Sequence, residues 1–276
     1  MTAPGPQFCS INWAGRPVTI EHQWIEAGPS DGPLLVFLHE GLGSVSMWRD
    51  FPARLCERLG WQGLVYSRPG YGQSTPRPLD QALTPDFLEH QAVEVLPALL
   101  QALGVDGTQR PLWLLGHSDG GSIALIHAAR FANNVAGLVV LAPHIMVEDI
   151  SVNSIAQARG AYLGTDLRAR LARHHHDPDS AFWGWNDVWL SPAFRHWSIE
   201  ALLPAISCPV LAVQGENDEY GSLQQVFGIA QAAPQTTVEV FADCGHSPHR
   251  DQAQALLDLV QRFVSENMAK RHADKG

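Results

Sequence analysis

Short apolar runs alternate with longer amphipathic segments over most of the chain. The apolar runs occupy positions 34–38, 63–66, 112–115, 138–141, 210–213 and 238–241. Segments with hydrophobic residues at helical spacing lie between or after them, at 45–59, 87–103, 122–131, 223–232 and 253–268. Strands that are apolar throughout are buried on both faces, and parallel strands require crossover connections that are usually helices. The alternation therefore predicts an α/β fold with a doubly wound, mostly parallel sheet.

A different pattern opens the chain. Residues 8–13 and 18–24 alternate between polar and apolar positions, and they flank the short segment Ala14-Gly15-Arg16. Alternation with a period of two on both sides of a short glycine-containing segment is typical of a β-hairpin. We therefore expect antiparallel strands at the start of the sheet.

Residues 143–208 interrupt the alternation where a loop of a few residues would suffice to join two neighbouring units. This segment has alanine and arginine at helical spacing over 156–172. It also contains four of the nine tryptophans, which are Trp183, Trp185, Trp189 and Trp197. An insertion after the carboxyl end of a strand lies over the crevice where open α/β sheets bind ligands. The sequence thus predicts a core of residues 1–142 and 209–276, with residues 143–208 inserted after strand 6 as a helical cap.

The charge and hydropathy of the chain argue against some classes of binding partner. The 276 residues include 18 Lys and Arg against 28 Asp and Glu, which gives a formal net charge of −10. An acidic chain without a basic run lacks the electrostatic footprint of nucleic-acid binding or of attachment to an anionic membrane. Apolar stretches such as 137–142 are far shorter than the roughly 20 residues that span a bilayer, and no signal peptide is visible. We expect a cytoplasmic monomer or homodimer whose partner is a small-molecule substrate.

The run 112–115 leads into Gly116-His117-Ser118-Asp119-Gly120 and then into a helical segment. A Gly-x-Ser-x-Gly pentapeptide between a strand and a helix is the signature of a nucleophile elbow. Small residues are needed at both ends of it because side chains there would collide with neighbouring backbone. The turn would present the Ser118 hydroxyl at the crevice, and the helix N-terminus would supply N–H donors for developing negative charge.

A serine hydroxyl is a weak nucleophile until a base takes its proton, and that base needs an orienting carboxylate. Asp218 follows the predicted strand at 210–213, and His246 follows the one at 238–241. Because the carboxyl ends of parallel strands meet at one edge of a sheet, both groups are expected near Ser118. The order Ser118, Asp218, His246 is that of α/β-hydrolases.

From about residue 34 to residue 265, the chain resembles a cap-bearing α/β-hydrolase-fold serine hydrolase. Besides the elbow, the matching motifs are His39-Glu40-Gly41-Leu42-Gly43-Ser44, Ser67-Arg68-Pro69-Gly70-Tyr71-Gly72-Gln73-Ser74, Gly215 to Asp218, and Gly245-His246. The resemblance implies catalysis by Ser118, Asp218 and His246, with an oxyanion hole formed by the N–H groups of Gly41 and Asp119. It implies no metal and no organic cofactor.

Two positions depart from the family pattern. Glu40 stands where the group usually has glycine, and Ser67 stands where an aspartate usually opens its loop. The segment 39–44, which carries Gly41, is here called the oxyanion loop. The carboxylate of Glu40 would either contact the substrate or brace this loop, and we favour bracing.

The expected reaction is hydrolysis of a carboxylic ester that carries a small to medium apolar or aromatic acyl group. Thioester, lactone and amide bonds remain open. The residues expected to contact this substrate are Glu40, Leu42, Trp48, Trp183, Trp185 and Trp189.

Other reactions on the same scaffold are less well supported. Dehalogenation and epoxide opening use an aspartate nucleophile in Gly-x-Asp-x-Gly, which Asp119 cannot provide because residue 117 is histidine. Carbon–carbon bond hydrolases of aromatic degradation share the triad, but they usually have other residues at the positions of Asp50 and Ser247. Aminopeptidases need an acidic pocket, for which Glu40, Glu148 and Asp149 are candidates. A non-catalytic receptor of this fold can retain an intact triad, so it also stays open.

Other residues could take the roles of catalytic acid and base. Glu148 or Asp149 is an alternative acid to Asp218, and His249 is an alternative base to His246. The run His174-His175-His176 is a weak metal-site candidate, because three adjacent side chains point in different directions.

Overall fold

Eight strands form one sheet in the computed structural model, which describes residues 5–273. The strands are β1 (Gln7–Trp13), β2 (Arg16–Glu26), β3 (Leu34–Leu38), β4 (Gln62–Tyr66), β5 (Leu112–His117), β6 (Gly137–Leu141), β7 (Val210–Gly215) and β8 (Thr236–Phe241). Their spatial order is β1-β2-β4-β3-β5-β6-β7-β8. Pairing is antiparallel between β1 and β2 and between β2 and β4, and it is parallel elsewhere. The predicted mostly parallel α/β sheet with antiparallel N-terminal strands is confirmed.

The turn of the first hairpin depends on backbone conformations that few residues adopt. Ala14 and Gly15 both have positive φ angles, of 51° and 74°, and they join the paired residues Trp13 and Arg16. Two-residue hairpin loops require this conformation because its twist matches that of the flanking strands.

Helices cover both faces of the sheet. They are α1 (Phe51–Leu59), α2 (Phe87–His90), α3 (Leu96–Ala102), α4 (Asp119–Arg130), α5 (Asp149–Gly164), α6 (Leu167–Leu171), α7 (Pro178–Trp189), α8 (Gln224–Ala232), α9 (Pro248–Asp251) and α10 (Ala253–Ala273). Alternate residues of β3 enter two separate cores: Val36 packs with α2, α3, α4 and α8, and Phe37 packs with α1 and α10. Burial on both faces explains why the central strands are apolar throughout.

Two helical segments that the spacing predicts as continuous are interrupted. Segment 45–59 is a 3₁₀ turn, Val45–Trp48, followed by α1, and Arg49 between them has a φ of 54°. Segment 87–103 contains a wide π-helical turn, Gln91–Val95, between α2 and α3. Pro97 follows that turn and has no N–H to continue the regular helical ladder, which favours the local rearrangement.

The segment between β6 and β7 contains α5, α6, α7 and a 3₁₀ helix, Glu200–Ala205. The predicted helix over 156–172 is two helices, because Thr165 is extended and α6 begins after it. Asp177 caps α7 by accepting hydrogen bonds from the N–H groups of Asp179 and Ser180. The assignment of 143–208 as a separate cap remains a prediction. Within residues 5–273, no helix is both long and apolar enough to cross a membrane.

Candidate active site

Ser118 occupies the sharp turn between β5 and α4. Its φ of 54° and ψ of −121° are rare for a residue with a side chain. A Cβ at Gly116 would collide with the carbonyl group of Gly120, and a Cβ at Gly120 would collide with the carbonyl oxygen of Leu38. Glycine is therefore required at both ends of the pentapeptide. The turn holds Ser118 in the wall of a cavity of about 230 Å³.

Asp218 and His246 are hydrogen-bonded to each other, with 2.8 Å between Asp218 Oδ1 and His246 Nδ1. Asp218 Oδ1 also accepts from the N–H of Tyr220 at 2.8 Å, and Oδ2 accepts from Gln214 Nε2 at 3.0 Å. Burial acts to raise the pKa of Asp218, but the hydrogen bond and charge of His246 outweigh it and hold the pKa below its ordinary value. The ionised carboxylate is thus an acceptor that fixes the proton of His246 on Nδ1.

Ser118 and His246 line the same cavity. Among the hydrogen bonds of residues 5–273, none joins Ser118 Oγ to the imidazole of His246. Catalytic hydrogen bonds to a nucleophile are often long in unliganded enzymes and tighten when substrate binds. The fold therefore places Ser118 and His246 in the wall of one cavity, with Asp218 hydrogen-bonded to His246.

Sequence reasoning missed two residues beside His246. His144, which follows β6, lines the cavity, and its ring centroid is 5.9 Å from that of His246. Burial, with the nearby charge of His246, lowers the pKa of His144 to about 3, so its imidazole is neutral. The ring of Tyr220 lies 4.7 Å from that of His246. The position of His144 at the carboxyl end of a predicted strand was the available signal.

The predicted oxyanion donors also reach the cavity. Gly41 and Asp119 both line it, and Asp119 is the first residue of α4, where backbone N–H groups have no partner within the helix. A Cβ at Gly41 would collide with the indole of Trp185 on α7. The close approach of α7 thus leaves room only for glycine at this position.

The side chain of Asp119 is buried and held by two partners. Trp189 Nε1 donates to Asp119 Oδ1 at 3.2 Å, and Arg68 Nη1 lies 3.6 Å from Oδ2. Burial raises the pKa of Asp119, and the charge of Arg68 opposes that shift. Arg68 also donates to the carbonyl oxygen of Glu40 at 2.8 Å. The elbow, the oxyanion loop and α7 are therefore tied together through Asp119.

Glu40 lines the cavity, but its carboxylate is engaged by protein groups. Arg250 Nη2 donates to Oε1 at 3.1 Å, and His117 Nδ1 lies 3.6 Å from Oε2. Burial acts to raise the pKa of Glu40, but its interaction with the nearby His117, together with the charge of Arg250, holds the pKa well below its ordinary value. These contacts are those of a bracing side chain.

Three of the aromatic and apolar residues expected to contact substrate lie in the cavity wall, namely Leu42, Trp185 and Trp189. The rest of the apolar wall is formed by Met47, Ile155, Leu167, Leu171 and Tyr220. The wall is therefore apolar, and the segment between β6 and β7 contributes a large part of it.

Trp48 and Trp183 do not line the cavity, which corrects their expected role. Trp48 is 2% exposed and packs against Phe37 and Phe51 in the core beneath the elbow. Trp183 packs against Tyr162 and Phe182, all three in the segment between β6 and β7. Both tryptophans pack against protein groups, so neither is part of the candidate site.

The alternative acids are bound by other groups, and the alternative base is buried. Glu148 accepts from Ser222 and Gln225, and Asp149 pairs with Arg195. His249 is buried against Trp48, and burial holds its pKa well below the ordinary value.

Side chains of the run His174-His175-His176 form hydrogen bonds with residues of other loops. His174 Nδ1 contacts Ser46 Oγ at 2.9 Å, while His175 Nδ1 accepts from the N–H of Gly72 and its Nε2 contacts the carbonyl oxygen of Leu42, both at 2.9 Å. Over the described part of the chain, no group of three or more His, Cys, Asp or Glu is placed to hold a metal ion.

Known proteins resemble this chain over most of its length. A cis-3-alkyl-4-alkyloxetan-2-one decarboxylase from Xanthomonas campestris pv. campestris is 27% identical, with 97% of this chain and 99% of that protein covered. A monoglyceride lipase from Rattus norvegicus is 21% identical, with 87% and 86% covered. A carboxylesterase structure from Nitrososphaera gargenis superposes with a TM-score of 0.76 at 15% identity, covering 95% of this chain and all of the other.

The likeness to that solved structure supports the fold, and a match to a family model supports assignment of the chain to a family. The model described as "Alpha/beta hydrolase family" matches residues 35–259, which include the elbow, Asp218 and His246. With this match and the sheet order described above, the protein belongs to the alpha/beta hydrolase family and is a hydrolase.

Proposed function

We propose that this protein is a serine hydrolase that cleaves a carboxylic ester of a small to medium apolar or aromatic substrate through an acyl-enzyme. The observation that carries this proposal is the Asp218–His246 hydrogen bond of 2.8 Å in the cavity that Ser118 enters from a strained turn. The names of similar proteins, which include a monoglyceride lipase and a carboxylesterase, favour an ester among the possible acyl bonds.

In the proposed mechanism, His246 takes the proton of Ser118 as the hydroxyl oxygen attacks the ester carbonyl carbon. Asp218 fixes the Nδ1–H tautomer of His246 and stabilises the imidazolium that forms. The N–H groups of Gly41 and Asp119 bind the oxyanion, each contributing on the order of 3 kcal/mol to transition-state stabilisation. His246 then gives its proton to the leaving alcohol, and water hydrolyses the serine ester by the reverse sequence. These steps use only side chains, backbone and water.

The size and lining of the cavity support the proposed substrate class. A volume of about 230 Å³ suits a compact acyl group. Trp185, Trp189 and Leu42 offer it apolar and aromatic contacts. Glu40 is bound to Arg250, so it does not offer a free carboxylate to a substrate amine, which disfavours the aminopeptidase alternative. A small-molecule partner, a monomeric or homodimeric state and a cytoplasmic location belong to the same proposal.

A panel of p-nitrophenyl esters with acyl chains of increasing length tests the proposal. We expect turnover with short and aromatic acyl groups, and a burst of nitrophenol stoichiometric with enzyme. Ser118→Ala should reduce turnover to the uncatalysed rate while the protein remains folded. Treatment with a fluorophosphonate should add one phosphonyl group to the native protein, on Ser118, and none to Ser118→Ala. Absence of labelling in the native protein, or turnover by Ser118→Ala, would refute the serine mechanism.

A further inference from the structure

His117, inside the elbow, connects two catalytic loops. Its Nε2 lies 2.7 Å from the backbone carbonyl oxygen of His246, so Nε2 carries a proton and donates it to this carbonyl. Its Nδ1 faces Glu40 Oε2 at 3.6 Å. The imidazole is 1% exposed, so water does not compete for these contacts. One buried ring thus contacts the loop of the catalytic histidine on one side and the oxyanion loop on the other.

Residues from several parts of the fold surround the Glu40 carboxylate. Arg250, on α9 just after His246, donates to Glu40 Oε1 at 3.1 Å and to the carbonyl oxygen of Met47 at 3.4 Å. A Cβ at Gly43 would collide with Glu40 Oε2, so the carboxylate conformation depends on glycine there. The carboxylate therefore has a defined position between His117 and Arg250.

Other groups face His117 without bonding to it. The ring of His249 lies 4.8 Å away, and that of Trp48 lies 6.4 Å away. The ring of His246 itself is 5.1 Å from that of His117. These rings close the space around His117, which limits it to one orientation.

We propose that His117 is a positioning residue: packed between Glu40 and the ring of His249, it holds the backbone of His246 at the distance from the elbow that proton transfer from Ser118 requires. The inference rests on the proposed serine mechanism. Ser118 and His117 are adjacent on the chain, so a bond from His117 to the carbonyl of His246 fixes nucleophile and base relative to each other. Because His117 is only 1% exposed and contributes little surface to the cavity that it lines, its loss should affect kcat and leave KM nearly unchanged.

The test compares His117→Leu, His117→Gln and His127→Leu. Leucine removes the donor, whereas the glutamine amide can still reach the carbonyl oxygen of His246. His127, in α4, is a matched control. It is also a buried histidine, and its Nδ1 bonds a backbone carbonyl oxygen, that of Ala92, at 2.8 Å. The readouts are kcat and KM for a p-nitrophenyl ester, the rate of fluorophosphonate labelling, and its final stoichiometry.

We expect His117→Leu to lower kcat and the labelling rate by about 10- to 100-fold, because small displacements of a base cost that much. Its KM should stay within about threefold of the native value, and one label per chain should still be reached. His117→Gln should recover most of the rate, and His127→Leu should label at the native rate. The inference is overturned if His117→Leu labels at the native rate, if glutamine gives no rescue, or if the loss shows only as fewer labelled chains. Ser118→Ala separates the two proposals: turnover in that variant refutes the serine mechanism itself.

Discussion

Asp218→Asn replaces one carboxylate oxygen with an amide nitrogen and removes the charge beneath His246. Asp218 Oδ1 accepts from His246 and from the N–H of Tyr220, and Oδ2 accepts from Gln214. The asparagine can keep its oxygen at the first position only if its NH₂ group faces the NH₂ group of Gln214. In the other orientation the NH₂ group faces two donors, His246 Nδ1–H and the N–H of Tyr220. In either orientation, N–H donors face each other at a buried position.

The magnitude follows from these contacts. One unsatisfied buried donor costs about 1–3 kcal/mol of unfolding free energy. Gln214 cannot rotate its amide without cost, because its Nε2 also donates to the carbonyl oxygen of Gly221 at 2.8 Å. The effect on catalysis should be larger, because the imidazolium loses its counter-charge and its fixed tautomer. We expect kcat to fall by about 10²- to 10⁴-fold.

The assay is ester hydrolysis under saturating substrate, with urea unfolding of the same preparations. Glu148→Gln is the matched control, because it neutralises the alternative acid, whose oxygens bond Ser222 and Gln225. We expect this variant to keep kcat within about threefold of the native value while it loses some stability. Native-like kcat in Asp218→Asn, or a large loss in Glu148→Gln alone, would refute the assignment of Asp218 as the acid.

Other perturbations test further parts of the site. Gly41→Ala should lower kcat about 10-fold or more, measured at saturating ester, because the new Cβ meets the Trp185 indole and displaces the oxyanion loop; native kcat would contradict that placement. Trp185→Ala should raise KM several-fold whereas Trp183→Ala should not, and equal KM values for the two would contradict the cavity wall described here. The pKa values of Glu40 and Asp218 are lowered in the folded state, so their contribution to stability is present above the unfolded values, near 4, and is lost as pH falls through the folded ones. Urea unfolding between about pH 5 and about pH 2 should show this decline, and unfolding free energies that do not change with pH over that range would argue against it.

The sheet was predictable from sequence because its central strands are buried on both faces. Runs such as 138–141 have no polar residue, and β6 is fully buried. Helix interruptions were harder to predict. The break at Arg49 and the one at Thr165 involve residues whose conformation depends on tertiary contacts, and neither residue type marks a helix end by itself.

The site was predictable where backbone geometry fixes it. The positions of the loops after β7 and β8 follow from strand order, so Asp218 and His246 could be predicted to lie near Ser118 at one edge of the sheet. Side-chain direction could not be inferred in the same way. Nothing in the spacing shows that Trp48 points into the core, whereas Trp185 reaches Gly41 across the cavity.

The bond between Trp189 and Asp119 has a consequence for how a substrate could enter. Lifting α7 away from the sheet would break that bond and let water reach the buried Asp119–Arg68 pair. It would also disturb the residue whose N–H is proposed to bind the oxyanion. Entry by movement of α7 would thus disrupt the proposed oxyanion hole at each turnover, whereas entry beside the partly exposed Arg250 would leave it intact.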